Sequence, residues 1–247
     1  MPDRFKTIAG IARSLRIYYG NRERAAAMDR LYRQFVSAGD LVFDIGAHVG
    51  DRVASFRRLG ARVVAVEPQP AVVLALKLLY GRNRNVVIEP RAVGREAGSA
   101  DIMINPSNPT VSTASPEFID AARDAPGWTA QRWTRTARVE TTTLDELIGK
   151  YGTPAFIKID VEGFEAEALA GLSKPVKALS FEFTTIQRNI AAACINRCAE
   201  LGFTKFNAAL GESQMFSHPG WLDSAGVAAW LNELPHSANS GDIYAAL

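Results

Sequence analysis

Apolar residues in the first ninety positions fall into short continuous runs separated by stretches of helical spacing. Met28, Leu31, Tyr32 and Phe35 recur at three- and four-residue intervals, which predicts a helix over 22–37 ended by Gly39. Leu41-Val-Phe43 is an unbroken apolar run leading into Asp44-Ile-Gly46, the form taken by a strand buried on both faces. A helix over 51–59 follows, closed by Gly60. Arg62-Val-Val-Ala-Val66 then predicts a second strand, 70–80 a second helix, and 85–88 a third strand. This β-α-β-α-β alternation with short connections predicts an α/β domain, with a mostly parallel sheet and helices on both faces.

The pattern breaks between 100 and 143. That stretch is rich in Ser, Thr, Pro and Asn and shows only a short helix over 117–123 and an alternating strand over 138–142. Alternation then resumes: helix 144–150, strand 154–159, helix 164–172, strand 176–183, helix 188–201, strand 203–210. A second insertion over 213–240 precedes Asp242-Ile-Tyr-Ala-Ala-Leu247, which reads as a closing edge strand. The expected organisation is an N-terminal helical arm, 1–39, and one domain, 40–247, carrying the two insertions.

Composition narrows the partners. The net charge is +2 over 247 residues, too balanced for a polyanion partner, so no nucleic acid is expected. Local arginines (Arg52, Arg57, Arg58 and Arg62; Arg132, Arg135 and Arg138) read as solvated helix faces and loop edges. Cys194 and Cys198 lie one helical turn apart in an apolar context, poor geometry for a bridge and without companion metal ligands. They fit core residues in a reducing, cytoplasmic compartment. No apolar run reaches the length of a membrane span. The basic, mildly amphipathic stretch 1–19 (Arg4, Lys6, Arg13 and Arg16 among Ile8, Ile11, Leu15 and Ile17) fits a helix packed on the domain, with peripheral membrane contact as the other use.

The first motif with chemistry in it is Asp44-Ile-Gly46-Ala47-His48-Val-Gly50, between a buried strand and a helix. Glycines there let the backbone turn and approach a ligand. Glu67, at the end of the next strand and followed by Pro68, is placed to accept hydrogen bonds from ribose hydroxyls. The ligand is therefore adenosine-containing. A dinucleotide site needs Gly-x-Gly-x-x-Gly to cradle a pyrophosphate. This loop has only two glycines and begins with an acid, which would repel phosphate but suits a sulfonium or an amine. The chemistry favours S-adenosyl-L-methionine over NAD.

The second motif is Ile157-Lys-Ile-Asp-Val-Glu-Gly-Phe-Glu165. Its strand should neighbour the first one, where the sheet reverses direction and α/β sheets bind ligands, so the Asp44 and Asp160 loops should face one crevice. Glu162 and Glu165 are also explained by the dipole at a helix start. The third motif is Ser180-Phe-Glu182-Phe183, a carboxylate between phenylalanines that needs a partner or a raised pKa, with Lys158 as the candidate partner.

Together these residues resemble the FkbM-type methyltransferase family. The resemblance runs through Gly39 to Gly50, Val66-Glu-Pro68, Arg91-Ala-Val-Gly94, Thr142-Thr-Leu-Asp-Glu-Leu147 and Ile157 to Glu165. It implies a Rossmann-like class I methyltransferase fold, seven-stranded with a reversed last strand. It also implies O-methylation of a hydroxyl on a sugar, glycan or small metabolite. By the same resemblance Asp44, Gly46 and Gly50 line the methionine part of the cofactor, Glu67 holds the ribose, and Arg91 and Ala92 lie near the adenine.

Asp160 is the expected base or orienter, with Lys158 and Glu182 shaping its surroundings and His48 as a competing base. Asp160, Glu162 and Glu182 carry oxygen ligands that suit a divalent cation, but the reading taken from the sequence requires no metal. The rivals are an RNA methyltransferase on the same scaffold, a non-catalytic cofactor-binding protein, and an NAD-dependent oxidoreductase.

Overall fold

The computed structural model describes residues 2–247, with side chains from Phe5 onward; Met1 and the side chain of Arg4 in the basic N-terminal stretch lie outside the described residues. The chain opens with α1 (Pro2–Tyr19) and α2 (Arg22–Tyr32). It continues through β1 (Leu41–Ile45), α3 (Asp51–Arg58), β2 (Arg62–Val66), α4 (Pro70–Tyr80), β3 (Val86–Glu89), β4 (Ala92–Val93), β5 (Gly98–Ile104), α5 (Pro116–Ala122) and β6 (Arg135–Thr142). Then come α6 (Leu144–Tyr151), β7 (Phe156–Ile159), α7 (Glu165–Ala170), β8 (Ala178–Thr184), α8 (Arg188–Glu200), β9 (Lys205–Leu210), α9 (Ser224–Glu233) and β10 (Ser240–Ala246).

Seven strands form one sheet in the order β3-β2-β1-β7-β8-β10-β9. The pairs β2–β3, β1–β2, β1–β7 and β7–β8 are parallel, and β10 runs antiparallel to both its neighbours. This is the Rossmann-like arrangement with a reversed last strand. One expectation is corrected: β10 is not an edge strand. It inserts between β8 and β9, and Ile243, Tyr244 and Ala245 are buried there, so β9 takes the edge. An apolar run buried on both faces belongs inside a sheet.

Both faces are covered. Phe43, Ile45, Ile157, Ile159, Phe181 and Ile243 pack under α6, α7, α8 and α9, where Cys194 and Cys198 lie as buried free thiols. Val42, Val63, Ala65, Phe156 and Tyr244 pack under α2 and α3, and Met28, Leu31, Tyr32 and Phe35 belong to that core. These residues of the N-terminal helical arm thus join the central packing. Their aromatic rings pack closely, Tyr32 tilted on Phe56 at 4.6 Å and Phe35 stacked on Phe156 at 5.1 Å. α1 packs inward through Gly10, against Pro109, and Tyr19, whose hydroxyl donates to the Val49 carbonyl at 3.0 Å. Phe5 and Ile8 remain exposed on its outer side. Among the described residues no helix is long and apolar enough to cross a membrane.

The stretch 100–143 is ordered. β5 and β6 pair antiparallel and join β4 in a second, three-stranded sheet. Ser115 caps α5 by accepting from the Phe118 amide at 3.1 Å, and Phe118 is buried against Trp128 and Trp133. Thr113 ties the insertion to the main domain by donating from its hydroxyl to the Glu162 carbonyl at 2.6 Å. The second insertion contains α9, whose Val227 and Leu231 are buried, while Trp230 packs on Phe183 at 5.9 Å.

Candidate active site

A cleft of about 1170 Å³, counting its open mouth, lies over the carboxyl ends of β1, β2, β7 and β8. That is the switch point where β1 meets β7 and the sheet reverses direction. Asp44, Gly46, Ala47, His48, Glu67, Pro68, Arg91, Ala92, Lys158, Asp160 and Glu182 all line it, so sequence positions spread over 140 residues meet in one place.

The two central loops touch. Gly46 has φ +82°, and a Cβ on it would lie 1.8 Å from the Asp160 carbonyl oxygen. Only glycine lets β1 and β7 end this close together. The amides of Gly46 and Ala47 both donate to the Val66 carbonyl, at 2.9 and 3.0 Å, which fixes the loop over the end of β2. Gly50 is placed differently from the expectation. It does not line the cleft; it starts α3 at φ +82° with Tyr80 and Leu76 behind it, where a Cβ would lie within 3 Å of either.

Glu67 is buried, and each of its oxygens accepts a backbone amide: His48 N–H at 3.0 Å and Gln69 N–H at 2.8 Å. Burial pushes its carboxyl up to about 7 despite those bonds. Asp44, also buried, leaves Oδ2 without a partner, and burial together with the Asp51 charge raises it to about 7. His48 sits at φ +45° with its ring edge-on to Tyr18, 5.9 Å between centroids. Burial lowers its pKa to about 4, so the imidazole is neutral and only weakly basic.

Lys158 is completely buried in the middle of the sheet. Its ammonium donates to Asp242 at 2.7 Å, to Asp160 at 3.2 Å and to the Ile159 carbonyl at 3.2 Å. The expected Lys158–Glu182 pair does not form. In register Lys158 stands beside Ser180, whereas Glu182 stands beside Asp242, and the ammonium reaches Asp242 instead. Burial pushes the Asp160 carboxyl up, but the Lys158 and Arg52 charges outweigh this and hold it below its ordinary value. Glu182 goes the other way, raised by burial and by the charge of Asp160. Glu165 does not line the cleft. It accepts from the Val161 and Gly163 amides at 3.1 and 3.3 Å, which makes it a structural cap of the loop.

Several lining residues carried no sequence motif. Asp242 comes from β10, Glu212 follows β9, and Tyr18 belongs to α1. At the rim Arg24 bridges Asp51 at 3.2 Å and Glu212 at 2.7 Å, and Arg52 does the same at 2.7 and 3.4 Å. Arg52 is therefore a partly buried network member and not the solvated residue expected. Arg58 is paired with Asp29 at 2.7 Å and Arg57 with the Ala61 carbonyl, so these arginines form no open basic patch. The cleft wall carries eight carboxyl groups against three basic side chains, Arg52, Arg91 and Lys158. In their ionised form these carboxyls favour cations over phosphates.

Comparison with known proteins agrees with this arrangement. The Methyltransferase FkbM domain matches residues 44–222. The hexuronic acid methyltransferase AglP of Haloferax volcanii is 26% identical over 163 residues, which is 65% of this chain and 62% of that protein's length. Solved structures with similar backbones include the precorrin-6y C5,15-methyltransferase of Geobacter metallireducens, 11% identical with a TM-score of 0.44, covering 91% of this chain and 88% of that one. Aeropyrum pernix fibrillarin with natively bound S-adenosyl-L-methionine is 10% identical with a TM-score of 0.44, covering 86% and 68%. The family match begins at Asp44, takes in both loops that meet at the cleft and ends at Leu222, and on it the chain belongs to the FkbM methyltransferase family.

Proposed function

We propose that the chain is an S-adenosylmethionine-dependent O-methyltransferase acting on a hydroxyl of a sugar or glycan. The observation that carries this reading is the meeting of the Asp44–Glu67 side and the Asp160–Glu182 side across one acidic cleft. The residues fit the cofactor. Asp44 holds a buried, unpartnered oxygen suited to a cationic group. Glu67 is locked by two amides and keeps further lone pairs for ribose hydroxyls. Arg91, held at 3.2 Å by Glu89, stands with Ala92 on the side expected for the adenine. When bound, the cofactor supplies a methyl group already activated on sulfur.

What remains for the protein is to hold and deprotonate the acceptor. Orientation of this kind supplies roughly 7–11 kcal/mol in well-aligned systems. Asp160, kept ionised and steered by Lys158, accepts the hydrogen bond of the acceptor hydroxyl. Asp160 is therefore also the expected destination of the acceptor's proton, with Glu182 beside it shaping its surroundings. His48, with its pKa near 4, is a poor base and serves the cofactor loop. The sugar class is supported by the printed name of the Haloferax relative. The excess of carboxyl groups supports a small acceptor over RNA, whose phosphates it would repel. The test is transfer of label from methyl-labelled S-adenosylmethionine to a panel of neutral sugars, uronic acids and RNA. Transfer to RNA alone would refute the reading.

A further inference from the structure

Three acids converge on the acceptor side of the cleft. Asp160 directly follows β7, Glu162 comes two residues later, and Glu182 lies near the end of β8. One carboxylate oxygen from each comes within 4.8 Å of the other two. Lys158 offsets only part of this charge, because its ammonium is divided among Asp242, Asp160 and a backbone carbonyl and contacts neither glutamate. The Glu162 side chain accepts no hydrogen bond and forms no ion pair among the described residues, although the residue is only 6% exposed and lines the cleft. One oxygen of Glu182 is likewise buried without a partner. Buried carboxylates are ordinarily paired or coordinate a metal. Here the Glu162 side chain and one oxygen of Glu182 lack a partner beside the same point, while Asp160 is shared between Lys158 and Glu182.

We propose that Asp160, Glu162 and Glu182 form a binding site for one hard divalent cation, Mg²⁺ or Mn²⁺, with its remaining coordination positions facing the acceptor. An all-oxygen, carboxylate-rich ligand set suits these ions. Octahedral ligands at about 2.1 Å from Mg²⁺ lie about 3 Å apart, so binding draws the carboxylates inward. The broad terminal torsions of the two glutamates allow that movement. Asp242 stays with Lys158 and balances its charge. The role assigned to the ion rests on the reading of the protein as a sugar methyltransferase. A cation holding the acceptor oxygen makes its proton easier to remove, and it lets an oxygen-rich ligand enter a cleft lined with acids.

The experiment is a titration of the full chain with Mn²⁺, followed by loss of the free-ion electron paramagnetic resonance signal, with Mg²⁺ as competitor. One Mn²⁺ per chain, displaced by Mg²⁺, is expected. Glu162→Gln should weaken binding at least tenfold, and the exposed Glu140→Gln should leave it unchanged. Thermal melting without metal controls for folding: Glu162→Gln relieves repulsion and should melt no lower than the parent. Absence of saturable binding, or binding that Glu162→Gln leaves intact, overturns the site. The two readings separate cleanly. Mn²⁺ binding without any sugar methylation removes the proposed function and leaves the site. Full methylation in chelator, with no Mn²⁺ bound, removes the site and leaves the function.

Discussion

Replacing Lys158 by methionine probes the centre of the sheet and the site together. The side chain is completely buried and its ammonium serves Asp242 at 2.7 Å and Asp160 at 3.2 Å. Methionine keeps much of the volume, so the packing loss is small and the charge loss dominates. Removing one partner of a buried ion pair costs roughly 3–5 kcal/mol, because the remaining charge stays buried and uncompensated. For a chain of this size each kcal/mol lowers the melting temperature by about 2–4 °C, which gives a fall of roughly 6–20 °C. The sign of the pH dependence follows from the shifts. The Asp160 carboxyl is held below its ordinary value, so its contribution is present at neutral pH and lost as pH falls through the lowered value. Lys158 is held above its ordinary value, so its charge persists into alkaline solution. The gap between parent and variant should therefore be constant from about pH 6 to 9 and close in acid. Urea denaturation of both proteins across that range and down into acid is the assay, with Lys158→Met/Asp242→Asn expected to recover part of the loss. A penalty under about 1 kcal/mol, or a gap that does not close in acid, would refute the reasoning.

Other expectations follow from the cofactor side. Glu67→Gln places an amide group against one of two backbone N–H donors, and calorimetry should show S-adenosylmethionine binding at least tenfold weaker; unchanged affinity removes the ribose assignment. Asp44 titrates near 7 because burial raises it, and a cationic ligand prefers its ionised form. Binding should therefore tighten roughly eightfold from pH 6 to 7.5 through this group, a gain that Asp44→Asn loses. His48→Asn keeps the positive φ that asparagine tolerates and should retain more than a tenth of turnover; a hundredfold loss would restore His48 as the base. Gly46→Ala meets the Asp160 carbonyl at 1.8 Å at a left-handed φ costing about 1–3 kcal/mol for a side chain, and should lower the melting temperature and abolish cofactor binding together.

How much of this was legible in the sequence depended on locality. β1, β2, β7 and β8 are buried parallel strands, and continuous apolar runs announce such strands; the same kind of run announces β3, which lies half-exposed at the sheet edge. β5 escaped notice because Gly98-Ser-Ala-Asp101 is polar and flat, and it becomes a strand only by pairing with β6. β10 read as an edge because sequence cannot show which strands flank it; both of its neighbours are antiparallel pairings set by long-range topology. In the site, Asp44, Glu67 and Asp160 end strands that follow one another around the switch point, so their meeting was predictable. The partner of Lys158 was not, because Asp242 lies 84 residues away with an ordinary acidic flank. Nor were Tyr18 and Glu212, which reach the rim through α1 and the turn after β9. The isolation of Glu162 became visible only with side chains in place.

The most direct test of the central claim is the chemistry of the methylated product. The 247-residue chain is incubated with methyl-labelled S-adenosylmethionine and a mixture of neutral sugars, uronic acids and RNA, and the product is treated with mild alkali. Label is expected on a sugar as a base-stable methyl ether, lost in Asp160→Asn while cofactor affinity is kept. Label released by alkali as an ester, label on RNA, or full transfer by Asp160→Asn would contradict that claim.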